Sequence, residues 1–226
     1  TAYEMPKGLE FRRVLFRSEL KGLLGRVPHE PMAWPDAAFA RVSGVRILLA
    51  NGAGPRSVEQ MFRNTEPDDT FHVKEFVSVG FCGALDPALK VGDIVVWGGP
   101  VETKLPYVEG EIWSEDRVIV TADEKRRLRE RTGATVVEME FAAVQKIARE
   151  WGVPCRAVRV VSDTAGEDLP LDFNRYRDEE GRFQIGRIAL AGLLRPFTAL
   201  PGLMRLDRQS QVAAESLGAF LADCKF

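Results

Sequence analysis

The sequence predicts an α/β fold, and the clearest pattern lies in the middle of the chain. A short β-branched run at residues 134–137 precedes a helical pattern at residues 139–151, whose apolar side chains recur at steps of three and four. A Gly-Val-Pro tripeptide ends this helix, and a second apolar run follows at residues 157–161. Strand, helix and strand in this order indicate a βαβ unit.

Three acidic residues lie where the strands of this unit end. Glu138 and Glu140 follow the first strand, and Asp163 follows the second. Side chains at the carboxyl ends of strands gather in the crevice where open α/β sheets bind ligands, so we expect the chemistry there. Each residue also has a plainer interpretation: Ser162 and Asp163 can cap a turn, the two glutamates can complement a helix dipole, and Met139 can belong to the core.

The remaining elements continue the alternation of strands and helices. Short apolar runs predict further strands at residues 45–50, 75–79, 94–97 and 117–120. Capping residues and three-to-four spacing predict helices at residues 19–27, 57–63, 121–131, 172–177 and 207–223. No internal repeat or low-complexity linker divides the chain, so a single domain is expected.

A glycine turn is expected after the strand at residues 45–50. Gly52 and Gly54, with Arg56 beside them, can bring backbone N–H groups up to an anion, although a tight turn that merely needs glycine is equally compatible. As a dinucleotide-binding fingerprint the turn is weak, because Pro55 removes a donor and no acidic residue ends a second strand at the required distance. An NAD(P)-binding oxidoreductase nevertheless remains one alternative function.

A second pair of glycines follows the strand at residues 75–79. Gly80 and Gly83 bracket Phe81 and Cys82, and glycine at a strand end permits close approach of the backbone to a ligand. We therefore regard these four residues as candidate substrate contacts.

Composition and charge argue against several function classes. A net charge of −2 at pH 7 gives no general attraction to nucleic acid or to an anionic membrane. Three cysteines without a CxxC spacing favour a reducing, cytoplasmic compartment and argue against a zinc site. Two histidines give little support to a His-dependent triad, and no apolar run reaches the roughly eighteen residues of a membrane span. We also expect no signal peptide.

The N-terminal segment is suspect as a natural sequence. Residues 9–18, LEFRRVLFRS, can be back-translated codon by codon into a common sequencing-adapter sequence. Our hypothesis is that an assembly error at residues 1–18 replaced a native first strand, which leaves residues 19–226 as the domain. A natural basic amphipathic segment is the alternative, and re-sequencing of the native locus distinguishes the two.

Four segments occur in an order typical of one enzyme family. They are NGAG at residues 51–54, VGFCGAL at 79–85, KVGDIVV at 90–96, and VEME at 137–140 with VVSD at 160–163. Together they resemble the nucleoside phosphorylase and nucleosidase superfamily, especially its methylthioadenosine/S-adenosylhomocysteine nucleosidase-like branch and, more loosely, the hopanoid-associated phosphorylases. The resemblance implies a three-layer α/β/α sandwich with a mixed, twisted central sheet, assembled as a homo-oligomer.

The same resemblance implies cleavage of the N-glycosidic bond of an adenine nucleoside that carries a modified 5′ group, by water or by phosphate. Asp163 would be the general acid that protonates the leaving purine, and burial would favour its protonated form. Glu140 would bind the ribose hydroxyls, Met139 would form an apolar wall against the sugar, and Glu138 would have a supporting role. Ser162 would line the site. No metal or organic cofactor is implied, and phosphate is the one co-substrate considered.

The sequence departs from the family pattern where the nucleophile is concerned. Related phosphorylases have a phosphate-binding arginine and serine where this chain has Ser78 and Phe81. A buried phosphate without cationic donors is costly, and Arg56 is the nearby cation that would compensate. In the hydrolytic branch a carboxylate near the N-terminus positions water, and Glu19 is the surviving candidate for that role. A nucleoside-binding module without turnover is therefore a second alternative.

Residues 188–204 form an unusually apolar stretch that Arg195 and two prolines interrupt. One interpretation is a subunit interface or an extra layer of core. The other is a hydrophobic wall or membrane-surface patch for a lipid-linked nucleoside, in keeping with the hopanoid resemblance.

Overall fold

The computed structural model describes residues 9–16, 26, 29–31, 37–42, 45–50, 71–178, 184–194, 197 and 199–225. Within these residues the chain forms one ten-stranded sheet with helices packed against it. The strands are β1 (Leu9–Phe16), β2 (His29–Pro31), β3 (Ala37–Val42), β4 (Val45–Ala50), β5 (Phe71–Ala84), β6 (Ile94–Trp97), β7 (Val108–Glu109), β8 (Ile112–Ser114), β9 (Val136–Glu138) and β10 (Cys155–Asp163). The helices are α1 (Ala122–Thr132), α2 (Phe141–Glu150), α3 (Ile185–Leu194) and α4 (Ala199–Asp223).

The sheet is mixed, as the resemblance implies. Its main path runs β2-β3-β4-β1-β5-β10-β6-β7, and β9 joins it by pairing with both β5 and β8. The four strands β4, β1, β5 and β10 are parallel, whereas β3, β6 and β9 run antiparallel to β4, β10 and β5 respectively. Strand β1 comes from the suspect N-terminal segment, so that segment occupies a central position between β4 and β5.

The longest strand, β5, extends beyond its predicted end. The sequence predicts a strand at residues 75–79 that ends before Gly80, but residues 80–84 continue the strand because β10 pairs with it as far as Gly83. On the other edge, β1 pairs with β5 only up to Ser78, and β9 takes over that edge at Gly83 and Ala84. The predicted strand end is therefore wrong, and Gly80 and Gly83 lie inside the sheet.

The βαβ unit is present as strand, helix and strand, but its two strands are not parallel. Strand β9 runs antiparallel to β5, whereas β10 runs parallel to β5 along the opposite edge. Asp163 of β10 pairs with Gly83, and Val137 of β9 pairs with the same glycine from the other side. The acidic residues at the two strand ends therefore still approach the same part of the sheet.

Helix boundaries follow capping residues at α1 and depart from the prediction at α4. Thr121 and Glu124 form a reciprocal capping box at the start of α1, and Gly133 ends the helix with a φ of 70°. Helix α4 begins at Ala199, well before the predicted start at residue 207. Pro201 lies in its first turn, where the missing N–H group of proline costs nothing, so the helix is not broken there.

Other predicted elements are shorter or fall elsewhere. Residues 117–120, predicted as a strand, form a loop before α1, and residues 172–177 contain only a 3₁₀ turn at Phe173–Tyr176. The helices predicted at residues 19–27 and 57–63 lie outside the described residues.

Three layers result from the alternation of side chains along β10. Val158 and Val160 pack against Leu217 of α4. Arg159 points the other way, and its guanidinium carbon lies 5.9 Å from the centroid of the Phe141 ring at the start of α2. Helix α4 therefore covers one face of the sheet and α2 the other, which is the α/β/α sandwich that the resemblance implies. None of the described helices is long and apolar enough to cross a membrane.

Candidate functional site

Asp163 ends β10 and is nearly buried, with 9% of its surface exposed. Its Oδ2 atom accepts a hydrogen bond from the Lys125 ammonium at 2.6 Å, and its Oδ1 atom accepts one from the Ser162 hydroxyl at 2.9 Å. Gly83 of β5 leaves room for this carboxylate, since a Cβ atom at that position would stand 3.0 Å from Oδ2. Two strands and a helix therefore hold the predicted acid.

Lys125 belongs to α1, and sequence reasoning missed it because this helix looks uniformly charged. Its side chain is fully buried, and its ammonium also donates to the backbone oxygens of Thr164 at 2.7 Å and Glu167 at 3.0 Å. An ammonium has three N–H donors, so all three are used. The available signal was spacing: Lys125 and Leu128 lie three residues apart on one helix face, and they are the two buried residues of α1.

The carboxylate of Glu138, at the end of β9, is enclosed by donors. It accepts hydrogen bonds from the Arg159 guanidinium at 2.7 Å and from the Ser114 hydroxyl. The backbone N–H groups of Glu140 and Phe141 also donate to it, both at 3.0 Å, so that it caps α2. Burial raises the pKa of Glu138, but Arg159, Ser114 and the backbone donor of Phe141 outweigh that effect and hold the pKa below its ordinary value.

Arg159 is a second buried cation that sequence reasoning missed. It stands in the middle of β10 and is 1% exposed. Its guanidinium donates to the backbone oxygen and the hydroxyl of Ser78, at 2.9 and 2.8 Å, and thus connects β5 to Glu138 of β9. The available signal was a charged residue inside an otherwise apolar strand, because such a residue requires a buried partner of opposite charge.

Glu140 and Met139 lie at the start of α2, directly after Glu138. Glu140 is 7% exposed, immediately precedes the first residue of α2, and its backbone oxygen accepts a hydrogen bond from the Ala143 N–H at 3.1 Å. Met139 is half-buried. The structure thus brings the predicted ribose ligand, the predicted apolar wall and the supporting glutamate together on one turn, and their roles toward a substrate stay predictions.

The segment between the two glycines of β5 lies alongside the end of β10. Cys82 is buried, and its backbone oxygen accepts a hydrogen bond from the Ser162 hydroxyl at 3.1 Å. Burial raises the pKa of the Cys82 thiol well above its ordinary value, so the thiol is neutral. Phe81 packs against the core beneath α4. Gly80 and Gly83 pair with the β10 residues that carry the two ion pairs.

A cleft opens beside Asp163, between helix α4 and the loop that follows β10. Glu167 and Asp168 line it from the loop, and Arg205 and Gln209 line it from α4. The cleft is small, with room for about one water molecule, and Leu169, Pro170 and Leu206 make its exposed lining mostly apolar. Neither Glu140 nor Met139 lines it.

Four predicted site residues lie outside the described residues: Glu19, Gly52, Gly54 and Arg56. The water-positioning carboxylate and the anion-binding turn therefore stay predictions. Among the residues that are described, no group of three or more His, Cys, Asp or Glu side chains could hold a metal ion.

The chain is similar in sequence to known proteins. A family model described as the Phosphorylase superfamily matches residues 100–197. The chain is 27% identical, over 220 residues, to a 5′-methylthioadenosine/S-adenosylhomocysteine nucleosidase of Mycobacterium tuberculosis, which covers 71% of this chain and 86% of that protein. It is 32% identical, over 81 residues, to an aminodeoxyfutalosine nucleosidase of Helicobacter pylori, which covers 36% of this chain and 35% of that protein.

The chain is also similar in fold to solved structures. The futalosine hydrolase of Helicobacter pylori superimposes on it with a TM-score of 0.65 at 18% sequence identity, over 95% of this chain and 96% of that one. An identity this low shows the fold alone, and the shared fold extends over nearly the whole chain.

Proposed function

Since this chain is a relative of the phosphorylase superfamily and of its nucleosidases, we propose that it cleaves the N-glycosidic bond of an adenine nucleoside with a modified 5′ group. These relatives confirm the resemblance that the four sequence segments carry. Their names specify substrates of this kind, which are 5′-methylthioadenosine, S-adenosylhomocysteine and aminodeoxyfutalosine. The nucleophile, water or phosphate, is left to experiment.

The observation that carries this proposal is the environment of Asp163. An ionised carboxylate offers about four lone-pair sites, and among the described residues its hydrogen bonds are those from Lys125 and Ser162. The carboxyl group therefore keeps hydrogen-bonding capacity for a purine, as an acceptor when it is ionised and as a donor to N7 when it is protonated. Cleavage leaves negative charge on the departing base, and a proton delivered to purine N7 makes the base a better leaving group.

Glu140 supports the sugar side of the same reaction. As the bond to the base breaks, positive charge develops on the ribosyl ring, and a carboxylate at the ribose hydroxyls stabilises that charge. The start of α2 presents Glu140 and Met139 on one turn, which suits one hydrogen-bonding contact and one apolar contact with the sugar.

A product assay tests the proposal. The protein is incubated with 5′-methylthioadenosine, with and without phosphate, and free adenine is measured. We expect adenine release that Asp163→Asn lowers by about 10²- to 10⁴-fold, the usual contribution of a general acid. Asp207→Asn is the matched control, because Asp207 is an exposed acid of α4 that pairs with Gln211. Free sugar without phosphate indicates hydrolysis, whereas a sugar phosphate indicates phosphorolysis.

The same assay separates the alternatives. Nucleoside binding without adenine release would support the module that binds but does not turn over. Binding of NAD(P) in calorimetry, without nucleoside cleavage, would support the oxidoreductase. Adenine release that is unaffected by Asp163→Asn would contradict the assignment of Asp163 as the general acid.

A finer proposal concerns the apolar stretch at residues 188–204, which we propose contacts an anionic membrane surface and a lipid-linked substrate. In the single chain it does not form an extra core layer, because Leu193, Leu194 and Phe197 are 66%, 74% and 94% exposed. Within residues 188–204 the one charged residue is Arg195, so the stretch has a net charge of +1 in a chain of −2. Exposed apolar side chains beside a basic residue are typical of helices that bind anionic lipid surfaces.

Vesicle sedimentation tests the membrane contact. We expect the double variant Leu194→Glu/Phe197→Glu to lose binding to vesicles that contain phosphatidylserine. Contact with the membrane would then bury two carboxylates where the wild type buries apolar side chains. Leu105→Glu is the matched control, because Leu105 is an exposed apolar residue outside this stretch. If the double variant instead changes the oligomeric state in size-exclusion chromatography and wild type does not bind vesicles, the stretch is a subunit interface.

A cytoplasmic location is part of the same proposal. None of the three cysteines, Cys82, Cys155 and Cys224, forms a disulfide, which suits a reducing compartment. Burial raises the pKa of Cys155 to about 12, so this thiol also stays neutral at physiological pH.

A further inference from the structure

Lys125 is a buried cation to which the proposed reaction assigns no role so far. Its side chain is fully buried, and its Nζ atom lies 2.6 Å from Asp163 Oδ2. A buried ammonium and a buried carboxylate are each costly when alone, so each stabilises the charged form of the other. The pair thus connects helix α1 to the acid that borders the cleft.

Helix α1 holds the ammonium in place. The capping box at Thr121 fixes the start of the helix, and the Lys125 N–H donates to the Thr121 backbone oxygen at 3.0 Å. The backbone N–H of Ala122 donates to the Asp168 carboxylate at 2.7 Å, which ties the start of α1 to the loop beside the cleft. Lys125 therefore cannot move away from Asp163 unless the helix and the loop separate.

The other acid of the loop is engaged elsewhere. Glu167 accepts hydrogen bonds from the Thr164 N–H at 3.1 Å and the Thr164 hydroxyl at 2.8 Å, and from the Gln209 side chain of α4 at 3.1 Å. Burial raises the pKa of Glu167, but the Thr164 donors, Gln209 and Arg205 outweigh it and keep the pKa below its ordinary value. Lys125 contacts the backbone oxygen of this residue, so its carboxylate partner is Asp163.

Other titratable and charged groups surround Asp163 from every neighbouring element. They are Cys82 of β5, Glu138 of β9, Arg159 of β10, Glu167 and Asp168 of the loop, and Arg205 of α4. Glu138 and Arg159 offset each other at 2.7 Å, and Arg205 lies 3.7 Å from the Glu167 carboxylate. Among the described residues, the charge that acts directly on Asp163 is therefore that of Lys125.

We propose that Lys125 is a positioning residue that holds the Asp163 carboxyl group at the cleft, in the place from which Asp163 protonates the leaving purine. The proposal rests on the proposed function. In the cleavage step the C1′–N9 bond breaks and its electron pair stays on the purine, while the proton of Asp163 moves to N7 and an oxygen atom of water or phosphate forms the new bond to C1′. The proton that an attacking water loses goes to solvent, from which Asp163 is protonated again. The carboxylate that remains is the form that the ammonium of Lys125 stabilises.

Two effects of removing the ammonium follow. The carboxylate left after proton transfer loses the charge that stabilises it, which lowers the rate of cleavage. The carboxyl group also loses the 2.6 Å hydrogen bond that fixes its position. Removal of the ammonium should therefore lower kcat more than it changes KM.

The experiment measures kcat and KM for adenine release by wild type, Lys125→Met and Lys125→Arg. Methionine keeps most of the buried volume without the charge, and arginine keeps the charge. We expect Lys125→Met to lower kcat by about 10- to 100-fold with a KM within about twofold of wild type, and Lys125→Arg to recover part of that loss. Arg127→Met is the matched control, because it removes a positive charge from the same helix at a position where the side chain is 73% exposed.

The outcomes separate this inference from the proposed function. If Lys125→Met and Lys125→Arg lost activity equally, or if KM rose by as large a factor as kcat fell, Lys125 would only hold the loop in place, and the inference would be wrong. If Lys125→Met does not fold, Lys125→Gln, which keeps N–H donors without charge, is measured in its place. If wild type releases no adenine at any pH, the proposed function fails first.

Discussion

Among the described residues, two ion pairs beside β5 have fully buried cations, and these pairs differ in what surrounds their carboxylates. Glu138 is satisfied by Arg159, a hydroxyl and two backbone N–H groups, and its side chain is 4% exposed. Asp163 receives Lys125 and Ser162, and its side chain is 12% exposed where it borders the cleft. The cations are equally buried, at 1% each. They differ in hydrogen bonding, since Arg159 Nε has no partner among the described residues whereas all three N–H donors of Lys125 are used. The difference that bears on a ligand is the exposure of the Asp163 carboxylate.

Because of this difference, Glu138 has a structural role and Asp163 belongs to the candidate site. A carboxylate surrounded by fixed donors gains nothing from a ligand, and it fixes the strands and helix that supply those donors. A carboxylate that keeps lone pairs toward a cleft can exchange a proton with a bound molecule. The acids of both pairs belong to the sequence segments that carry the family resemblance. Membership of these segments alone therefore does not show which acid is structural and which belongs to the site.

The largest effect on folding is expected for Arg159→Met. The change leaves Glu138 as a buried charge without its cation, and loss of one partner of a buried pair typically costs about 3–5 kcal/mol of unfolding free energy. Urea unfolding at pH 7 measures it. Arg127→Met is the control, because its pair with Asp123 is exposed and such pairs contribute about 0–1 kcal/mol. A loss below about 1 kcal/mol for Arg159→Met would contradict the scaffold role of this pair.

A smaller effect is expected from acid. Because the pKa of Glu138 is lowered in the folded protein, its stabilising contribution is complete above its ordinary value of 4.5 and is lost as pH falls through the folded pKa. Unfolding free energies between about pH 3 and 7 should therefore decline less steeply for Glu138→Gln than for wild type. Glu124 and Glu167 also have lowered pKa values, so the difference between the two curves is the quantity to examine. Parallel curves would contradict the prediction.

Local patterns in the sequence predicted the fold where local interactions decide it. Helix α2 spans Phe141–Glu150 inside the predicted 139–151, because its amphipathic spacing and its stop signal are both local. The end of β5 was missed because strand pairing, a long-range interaction, extends the strand through its glycines. The opposite directions of β9 and β10 were missed for the same reason, since no residue within the unit encodes which edge of β5 each strand takes.

The sequence motifs named the acids of the site but not their partners. Glu138, Glu140 and Asp163 were all assigned from motif and strand ends. Lys125 was missed because its neighbours along α1 are exposed arginines, so that composition hides a single buried position. Arg159 was missed although an arginine within an apolar strand was visible, because the partner on β9 becomes adjacent only through the sheet. Pairing of charges is a property of the fold, not of the segment.

The smallest effect is expected for Gly83→Ala, which acts directly on the carboxylate that borders the cleft. The new Cβ atom would stand 3.0 Å from Asp163 Oδ2 and 3.4 Å from Val137 Cγ1, so the carboxylate must move by a few tenths of an ångström. Misplacement of a reacting group by about 1 Å can cost 10²-fold in rate, so a fall in kcat of about two- to tenfold is expected here, with little change in stability. Gly166→Ala is the control, because a Cβ atom at this position, in the loop that follows β10, would meet no heavy atom of a non-adjacent residue within 4 Å. If Gly83→Ala lost stability and kept its kcat, the Lys125–Asp163 pair would also have a purely structural role. The distinction between the two ion pairs would then not hold.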